Sequence, residues 1–300
     1  MTPKPTPHLP CLITATTVAA VIKQASVFLN TQTKTDSAKL DAQLLLAFAL
    51  NKPISYLLTW PDEILSAKTI AQFQLLLNRR LQGEPIAYVL EEKEFWSLPF
   101  KVSPATLIPR PDTELLVEQV LLHFANKKDA IVCLDLGTGT GAIALALASE
   151  HNNWQIDAVD FSEEAVALAQ YNAQQLALTQ VNIYQSDWFA GVPSHKQFDV
   201  IVSNPPYIDK TDKHLTEGDV RFEPKTALVA NKQGLADIEK IATQARQFLK
   251  NNGMLFFEHG YQQAIAVQTL LTNLGYQNIQ TITDLSGNDR VTKAVYTQTT

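Results

Sequence analysis

The sequence predicts an α/β fold: a doubly wound, mostly parallel sheet joined to a small all-helical N-terminal domain. Three observations lead there. After Ala130, short apolar runs alternate with stretches of helical periodicity, the pattern of a parallel sheet covered on both faces. From about Thr17 to Gln82 the periodicity is helical. The first strand of the alternating region also runs into Gly137-Thr138-Gly139-Thr140-Gly141, a tight passage from strand to helix. A chain of 300 residues can bury two cores of this kind.

The elements follow in order. Met1–Pro10 is proline-rich and expected to be disordered. Thr17–Leu29 sets Val18, Val21, Ile22, Ala25 and Leu29 on one stripe of a helix. Asp36 and Ser37 can cap a second helix that runs to Leu50. Pro61 ends a short third segment, a fourth helix is expected over Asp62–Gln82, and Gly83 and Pro85 close the bundle. Between Ala87 and Ile108 the runs are short and β-prone, with Phe95, Trp96, Phe100 and Val102, as in a hairpin or linker. Pro111 keeps Arg110 extended, and Asp112 or Thr113 is placed to cap the helix that follows. Strands are expected at Ala130–Leu136, Gln155–Asp160, Asn182–Gln185, Phe198–Ser203 and Met254–Glu258. Helices are expected at Ala142–Ser149, Glu163–Leu176 and Leu235–Leu249. A last helix and β-prone runs at Ile279–Thr283 and Ala294–Tyr296 close the chain. The domain boundaries expected are 11–85 for the helical domain, 86–110 for the hairpin or linker and 111–300 for the α/β domain.

Composition narrows the function classes. With 46% hydrophobic and 18% charged residues, the chain is an ordinary globular protein. The net charge of −6 disfavours a protein built to wrap nucleic acid. The charge is uneven: residues 1–85 hold eight Lys and Arg against five Asp and Glu, and the remainder holds 16 against 25. Cys11 and Cys133 stand far apart with no CxxC spacing, so both are expected to be free thiols in a reducing, cytoplasmic setting. Cys11–Ile22 is apolar but interrupted by Thr, and reads as the approach to a helix rather than a leader. The six histidines show no metal-ligand spacing, and no metal is expected.

The glycine run closes the first strand of a Rossmann-like sheet. Nineteen residues beyond Gly141, Asp160 ends the next strand, where a carboxylate can accept from both hydroxyls of a ribose. Gly137-x-Gly139-x-x-Ala142 also satisfies the loose pattern of dinucleotide binders, so this signal leaves a nicotinamide dehydrogenase open. After the third strand, Asp187 can accept from an adenine amino group and Trp188 can meet the base; ordinary core packing is the plainer reading of Trp188.

The fourth strand ends on Asn204-Pro205-Pro206-Tyr207. Adjacent prolines lack N–H groups and fix φ, so the strand stops on a stiff tip. In a doubly wound sheet that tip faces the glycine loop. Its chemistry suits a planar NH₂ conjugated to a π system. The Asn204 side-chain oxygen and the Pro205 carbonyl can each accept one of its hydrogens, and Tyr207 can lie against its flat face. The plainer alternative is a Pro-Pro turn with a surface tyrosine.

Together, Asp135-Leu136-Gly137-Thr138-Gly139-Thr140-Gly141, Asp160, Asp187-Trp188 and Asn204–Tyr207 resemble a class I S-adenosylmethionine methyltransferase. LIPRPDTE (Leu107–Glu114), SNPPYI (Ser203–Ile208), DVRFEP (Asp219–Pro224) and FEHG (Phe257–Gly260), with the helical domain before them, resemble the peptide chain release factor glutamine methyltransferases. That resemblance implies N5-methylation of the glutamine in the Gly-Gly-Gln loop of class I release factors, with S-adenosylmethionine as cofactor. It implies that Gly137–Gly141 cradle the methionine part, Asp160 the ribose and Trp188 the adenine region. Asn204 would touch both ligands, Asn204–Tyr207 would hold the substrate amide, and the N-terminal bundle would dock the release factor. The chain departs from the family where Glu91 replaces a frequent glycine before the hairpin. Arg110 and Glu114 are expected either near the site mouth or as a surface pair, and Asp219–Pro224 as a loop over the substrate or merely a loop. An adenine-N6 methyltransferase of DNA or RNA would use the same tip but should carry a basic surface. A nucleoside-binding adaptor without catalysis is the non-enzyme alternative.

Overall fold

The computed structural model describes residues 12–33, 35–127 and 129–298; the expectations for Met1–Pro10 and Cys11 lie outside them. The chain divides into two compact units that meet between Glu91 and Glu92.

The first unit holds α1 (Val18–Gln32), α2 (Ala38–Leu50), α3 (Ile54–Thr59), α4 (Ala67–Leu81) and α5 (Ile86–Leu90). The apolar stripe of α1 is buried as its spacing requires, against Leu45, Leu46, Phe73 and Leu77. A buried ion pair, Arg80 Nε to Asp41 Oδ2 at 2.7 Å, ties α4 to α2. Ser37 stands before α2 but does not cap it with an accepted N–H; its hydroxyl donates to Asp41 Oδ1 at 2.8 Å. The fourth helix starts five residues later than its periodicity suggests. Ser66 Oγ accepts from the Thr69 amide at 3.1 Å and sets the start, while Ile64 forms a β-bridge with Thr17. The short α5 was not expected. It ends on Glu91, which has φ +58°, the left-handed conformation that explains a glycine preference there.

The second unit opens with a hairpin, β1 (Glu92–Phe95) and β2 (Leu98–Lys101), turned by Trp96 and Ser97 with φ of +53° and +57°. Phe95 and Phe100 are buried edge to face. A 3-10 turn, Pro111–Thr113, then leads directly into α6 (Glu114–Phe124). Neither Asp112 nor Thr113 caps this helix, because the chain is already helical at both; Arg110 is the extended residue before it and Pro111 takes the first position.

The sheet is seven-stranded, in the order β10-β11-β9-β6-β3-β4-β5. Its members are β3 (Val132–Leu136), β4 (Gln155–Asp160), β5 (Asn182–Gln185), β6 (Phe198–Ser203), β9 (Leu249–Glu258), β10 (Gln277–Thr283) and β11 (Asp289–Tyr296). β5, β4, β3, β6 and β9 pair in parallel, and β11 pairs antiparallel with both β9 and β10. On one face lie α6, α7 (Ala142–Glu150) and α8 (Glu163–Gln175); on the other lie α9 (Ala236–Ala245) and α10 (Ala264–Asn273). Alternate residues of β3 serve the two cores, Cys133 on one side and Leu134 and Leu136 on the other. Buried Asn172 on α8 donates to the carbonyls of Lys101 and Thr140 and accepts from the Lys101 amide, joining hairpin, helix and glycine loop. The expected helix to Leu249 stops at Ala245, because Leu249 pairs with Phe198 and β9 starts there. A small parallel pair, β7 (Ile208–Asp209) and β8 (Val229–Ala230), brackets a loop of 3-10 turns. Among the described residues, no helix is long and apolar enough to cross a membrane.

Candidate active site

Strand order reverses at β3: β4 and β5 extend one way, β6 and β9 the other. Ligands of open α/β sheets sit at the carboxyl ends of the strands at such a point. A cavity of about 270 Å³ lies there. Gly137–Thr140, Asp160, Asp187, Trp188, Asn204 and Pro206 contribute to its wall; Gly141 does not, and faces Leu145 and Ala169 instead.

The glycines make room rather than offer donors. The amides of Gly137 and Thr138 both donate to Val159 O at 2.9 Å, that of Gly139 to Asp160 Oδ2 at 2.9 Å, and that of Gly141 to Thr138 O at 2.8 Å. A Cβ on Gly137, which has φ +73°, would stand 3.4 Å from the Trp188 ring. A pyrophosphate site uses free backbone amides; those of Gly137, Thr138, Gly139 and Gly141 are engaged within the fold. The surrounding charge is acidic as well. Asp160, Asp187 and Asp237 line the cavity against a single Arg110, and Asp135, fully buried, is bonded to Thr138 of its wall. Asp135 Oδ2 accepts from Thr138 Oγ1 at 2.7 Å, while Oδ1 has no hydrogen bond of good geometry. Burial pushes Asp135 up to about 7, against the pull of Thr138 and the Ala144 amide. A wall whose charged side chains are three aspartates and Arg110, the last already paired with Glu223, fits a neutral or cationic nucleoside better than a dinucleotide. The lining therefore suits S-adenosylmethionine, whose sulfonium and ammonium groups are positive.

Asp160 accepts from the Ser162 amide at Oδ1 and from Gly139 at Oδ2, both at 2.9 Å, and burial raises its pKa. Each oxygen keeps a second lone pair. Asp187 Oδ1 pairs with Lys240 Nζ at 2.9 Å. Trp188 has φ +50°, and the Ser186 hydroxyl holds its turn by donating to Trp188 O at 2.6 Å. The ring packs partly against the second core as well as lining the cavity. Phe161, 70% exposed, also lines it. The signal for Phe161 was available: a large apolar residue immediately after the strand-ending acid.

At the tip, Ser203 Oγ donates to Leu136 O at 2.8 Å and locks the ends of β6 and β3 together. Asn204 Nδ2 donates to Thr113 Oγ1 at 3.1 Å, which leaves its Oδ1 as an acceptor. Asn204 and Pro206 line the cavity; Pro205 is buried, and Tyr207 is not part of the wall. The Tyr207 hydroxyl donates to Glu258 Oε1 at 3.3 Å, and Tyr207 O accepts from Gln263 Nε2 at 3.0 Å. Burial, then the charge of Glu258, raises the Tyr207 pKa, so the phenol stays protonated. Gly234 closes on this backbone: a Cβ there would meet Tyr207 O at 2.0 Å.

Arg110 does not pair with Glu114. It reaches Glu223 Oε2 at 2.6 Å, while Glu114 accepts from the Trp96 amide at 2.7 Å and holds the hairpin turn. The Glu223 side chain is fully buried, and its Oε1 accepts from the Ile108 amide at 3.3 Å. The Asp219–Pro224 segment is thus tied to the Ile108–Arg110 segment before α6, and Thr226 and Ala227 beyond it enter the cavity wall. Glu223, Glu258 and Thr113 stand in the motifs quoted above, but their contacts were not legible there, because their partners lie far away along the chain.

Comparison with known proteins finds relatives over most of the chain. The Methyltransferase small domain matches residues 111–220, and the PrmC N-terminal domain matches residues 20–90. The release factor glutamine methyltransferase of Vibrio cholerae is 55% identical over 93% of this chain and 97% of its own length. That of Escherichia coli is 50% identical over 88% of this chain and 94% of its own. Among solved structures, a methyltransferase from Pyrococcus furiosus superposes with a TM-score of 0.52 at 21% identity, covering 74% of this chain and 98% of that one, a likeness of fold.

Proposed function

The chain belongs to the release factor glutamine methyltransferase family, and from that premise we propose its reaction: methyl transfer from S-adenosylmethionine to the side-chain amide nitrogen (N5) of the glutamine in the Gly-Gly-Gln loop of class I peptide chain release factors. The observation that carries this reading is the polarity of Asn204, whose Nδ2 is spent on Thr113 while its Oδ1 remains free to accept on a residue of the cavity wall.

In this reading Gly137–Gly141 leave room for the methionine part of the cofactor, Asp160 holds the ribose, and Asp187 and Trp188 meet the adenine. When bound, S-adenosylmethionine supplies a methyl group on a sulfonium that leaves as a neutral thioether. The chain's task is to prepare a poor nucleophile. Asn204 Oδ1 and the Pro205 carbonyl accept the two hydrogens of the substrate amide, aim its nitrogen and favour the positive charge that grows there. Prolines 205 and 206 keep this grip stiff, and Tyr207, outside the cavity wall, anchors it through Glu258 and Gln263 rather than lying along the amide plane as the sequence suggests. A strong base is not required before attack, because the alkylated amide loses its proton readily afterwards. The domain over 11–85 docks the release factor, 86–110 links, and 111–300 performs the transfer. The setting is the cytoplasm, with neither nucleic acid nor membrane as direct partner.

The test supplies purified protein with methyl-labelled S-adenosylmethionine and either a class I release factor or duplex DNA, then maps any label by peptide mass. Label on the Gly-Gly-Gln glutamine is expected. Label in DNA alone would assign an adenine-N6 methyltransferase, and cofactor binding without label in either would assign the adaptor.

A further inference from the structure

The segment Phe257-Glu258-His259-Gly260 has no part in the reaction as derived so far. Glu258 ends β9, is 1% exposed and does not line the cavity. Its Oε1 accepts from Tyr207; its Oε2 is buried with no hydrogen bond of good geometry, although the Thr113 hydroxyl stands close enough to the carboxyl to pull its pKa down. A buried carboxylate so sparsely satisfied is costly and calls for a reason.

The reason lies in the direction of the hydrogen bonds around it. The Thr113 hydroxyl, 4% exposed, stands beside the Glu258 carboxyl and accepts from Asn204 Nδ2. Having accepted, it still has its own proton to place, and the carboxyl is the acceptor beside it. An ionised carboxylate can only accept. Thr113 and Tyr207 must both turn their protons toward Glu258. Thr113 then offers Asn204 a lone pair, and Asn204 must answer with Nδ2. Were the Asn204 amide reversed, its N–H groups would face the substrate's own N–H groups, donor against donor.

We propose that Glu258 is a positioning residue: through Thr113 it decides which end of the Asn204 amide meets the substrate, and through Tyr207 it anchors the tip. The assignment rests on the function proposed above. Glu258 is faced by Tyr207 from the tip, by Arg290 from β11, and by Thr113 and Asp112 from the turn before α6. Arg290 is itself shared with Asp112 Oδ2 at 3.1 Å and Asp284 Oδ2 at 3.4 Å. Burial pushes Glu258 up to about 7, against the pull of Thr113, Arg290 and Tyr207. Protonation near neutrality adds a donor at the end of the chain and releases the constraint on Asn204.

The experiment uses the full-length enzyme with a release factor as substrate. Glu258→Gln keeps the volume but makes one end a donor. It should lower kcat by about tenfold or more and leave cofactor affinity by calorimetry unchanged. The wild type should lose kcat on acidification through neutral pH, and the variant should lack that acid limb. Thr113→Val should cost as much as Glu258→Gln, and the double variant no more than either alone. Carbon-13 titration of the Glu258 carboxyl gives a readout independent of turnover: its midpoint should rise in Thr113→Val. Normal kcat with a retained acid limb in Glu258→Gln, additive losses, or an unmoved carboxyl midpoint would each overturn the proposal. If Glu258→Gln does not fold, Thr113→Val decides by kcat and titration. A wild type that binds cofactor but never labels release factor overturns the function and this assignment together; a labelling wild type with normal variants overturns this assignment alone.

Discussion

At the scale of single residues, Asn204 and Asp135 make opposite demands. Asn204 contributes one oriented acceptor, and its value lies in being held before substrate arrives. Asn204→Ala should lower kcat by about 10²-fold, as loss of one preorganised polar contact does; near-normal turnover in a steady-state assay would remove Asn204 from the reaction. Asp135 is a buried carboxyl whose ordinary pKa of 3.8 is raised to about 7. The folded state therefore binds its proton more tightly than the unfolded state does. Its effect is absent below about pH 4, and stability then falls as pH rises toward 7 and levels off above, a loss on the order of a few kcal/mol. Asp135→Asn should flatten that fall, so that melting temperatures of variant and wild type diverge from pH 5 to pH 8 with the variant higher. Parallel curves would show that Asp135 is not protonated in the fold.

Elements show how polar side chains override periodicity. Ser66 starts α4 by capping it, and Arg80 on that helix meets Asp41 on α2 out of solvent. Removing one partner of a buried pair leaves an uncompensated charge and costs about 3–5 kcal/mol. Arg80→Ala should therefore lower the unfolding free energy of the first unit, read from urea denaturation, by that much, and Asp41→Leu combined with Arg80→Met should recover most of it. Pairs of this kind were invisible in the sequence, because 39 residues separate the partners. By contrast, β4, β5 and β6 occupy the ranges their apolar runs predict, since buried parallel strands leave little freedom in where they begin and end.

For the whole molecule, the charge balance bears on partner choice. Residues 86–300 carry 25 acidic against 16 basic side chains, and the cavity wall repeats the sign. Polyanions should be repelled rather than captured. Excess duplex DNA, added to the methylation assay at low salt, should leave the KM for release factor unchanged; competitive inhibition would indicate a nucleic-acid surface that the charge pattern does not provide.

The sequence by itself determined the α/β class, the helical domain before it, the glycine turn, the distal acid and the proline-stiffened tip. Each of these is written in neighbouring residues, through periodicity, φ restriction and the loss of N–H groups. Only the tertiary structure decided that the amides of Gly137, Thr138, Gly139 and Gly141 are already engaged, that Arg110 answers Glu223 rather than Glu114, and that Glu258 stands behind Asn204. Those facts depend on atoms meeting across strand ends from distant parts of the chain. The direction of a hydrogen bond is a property of the meeting, not of either residue alone.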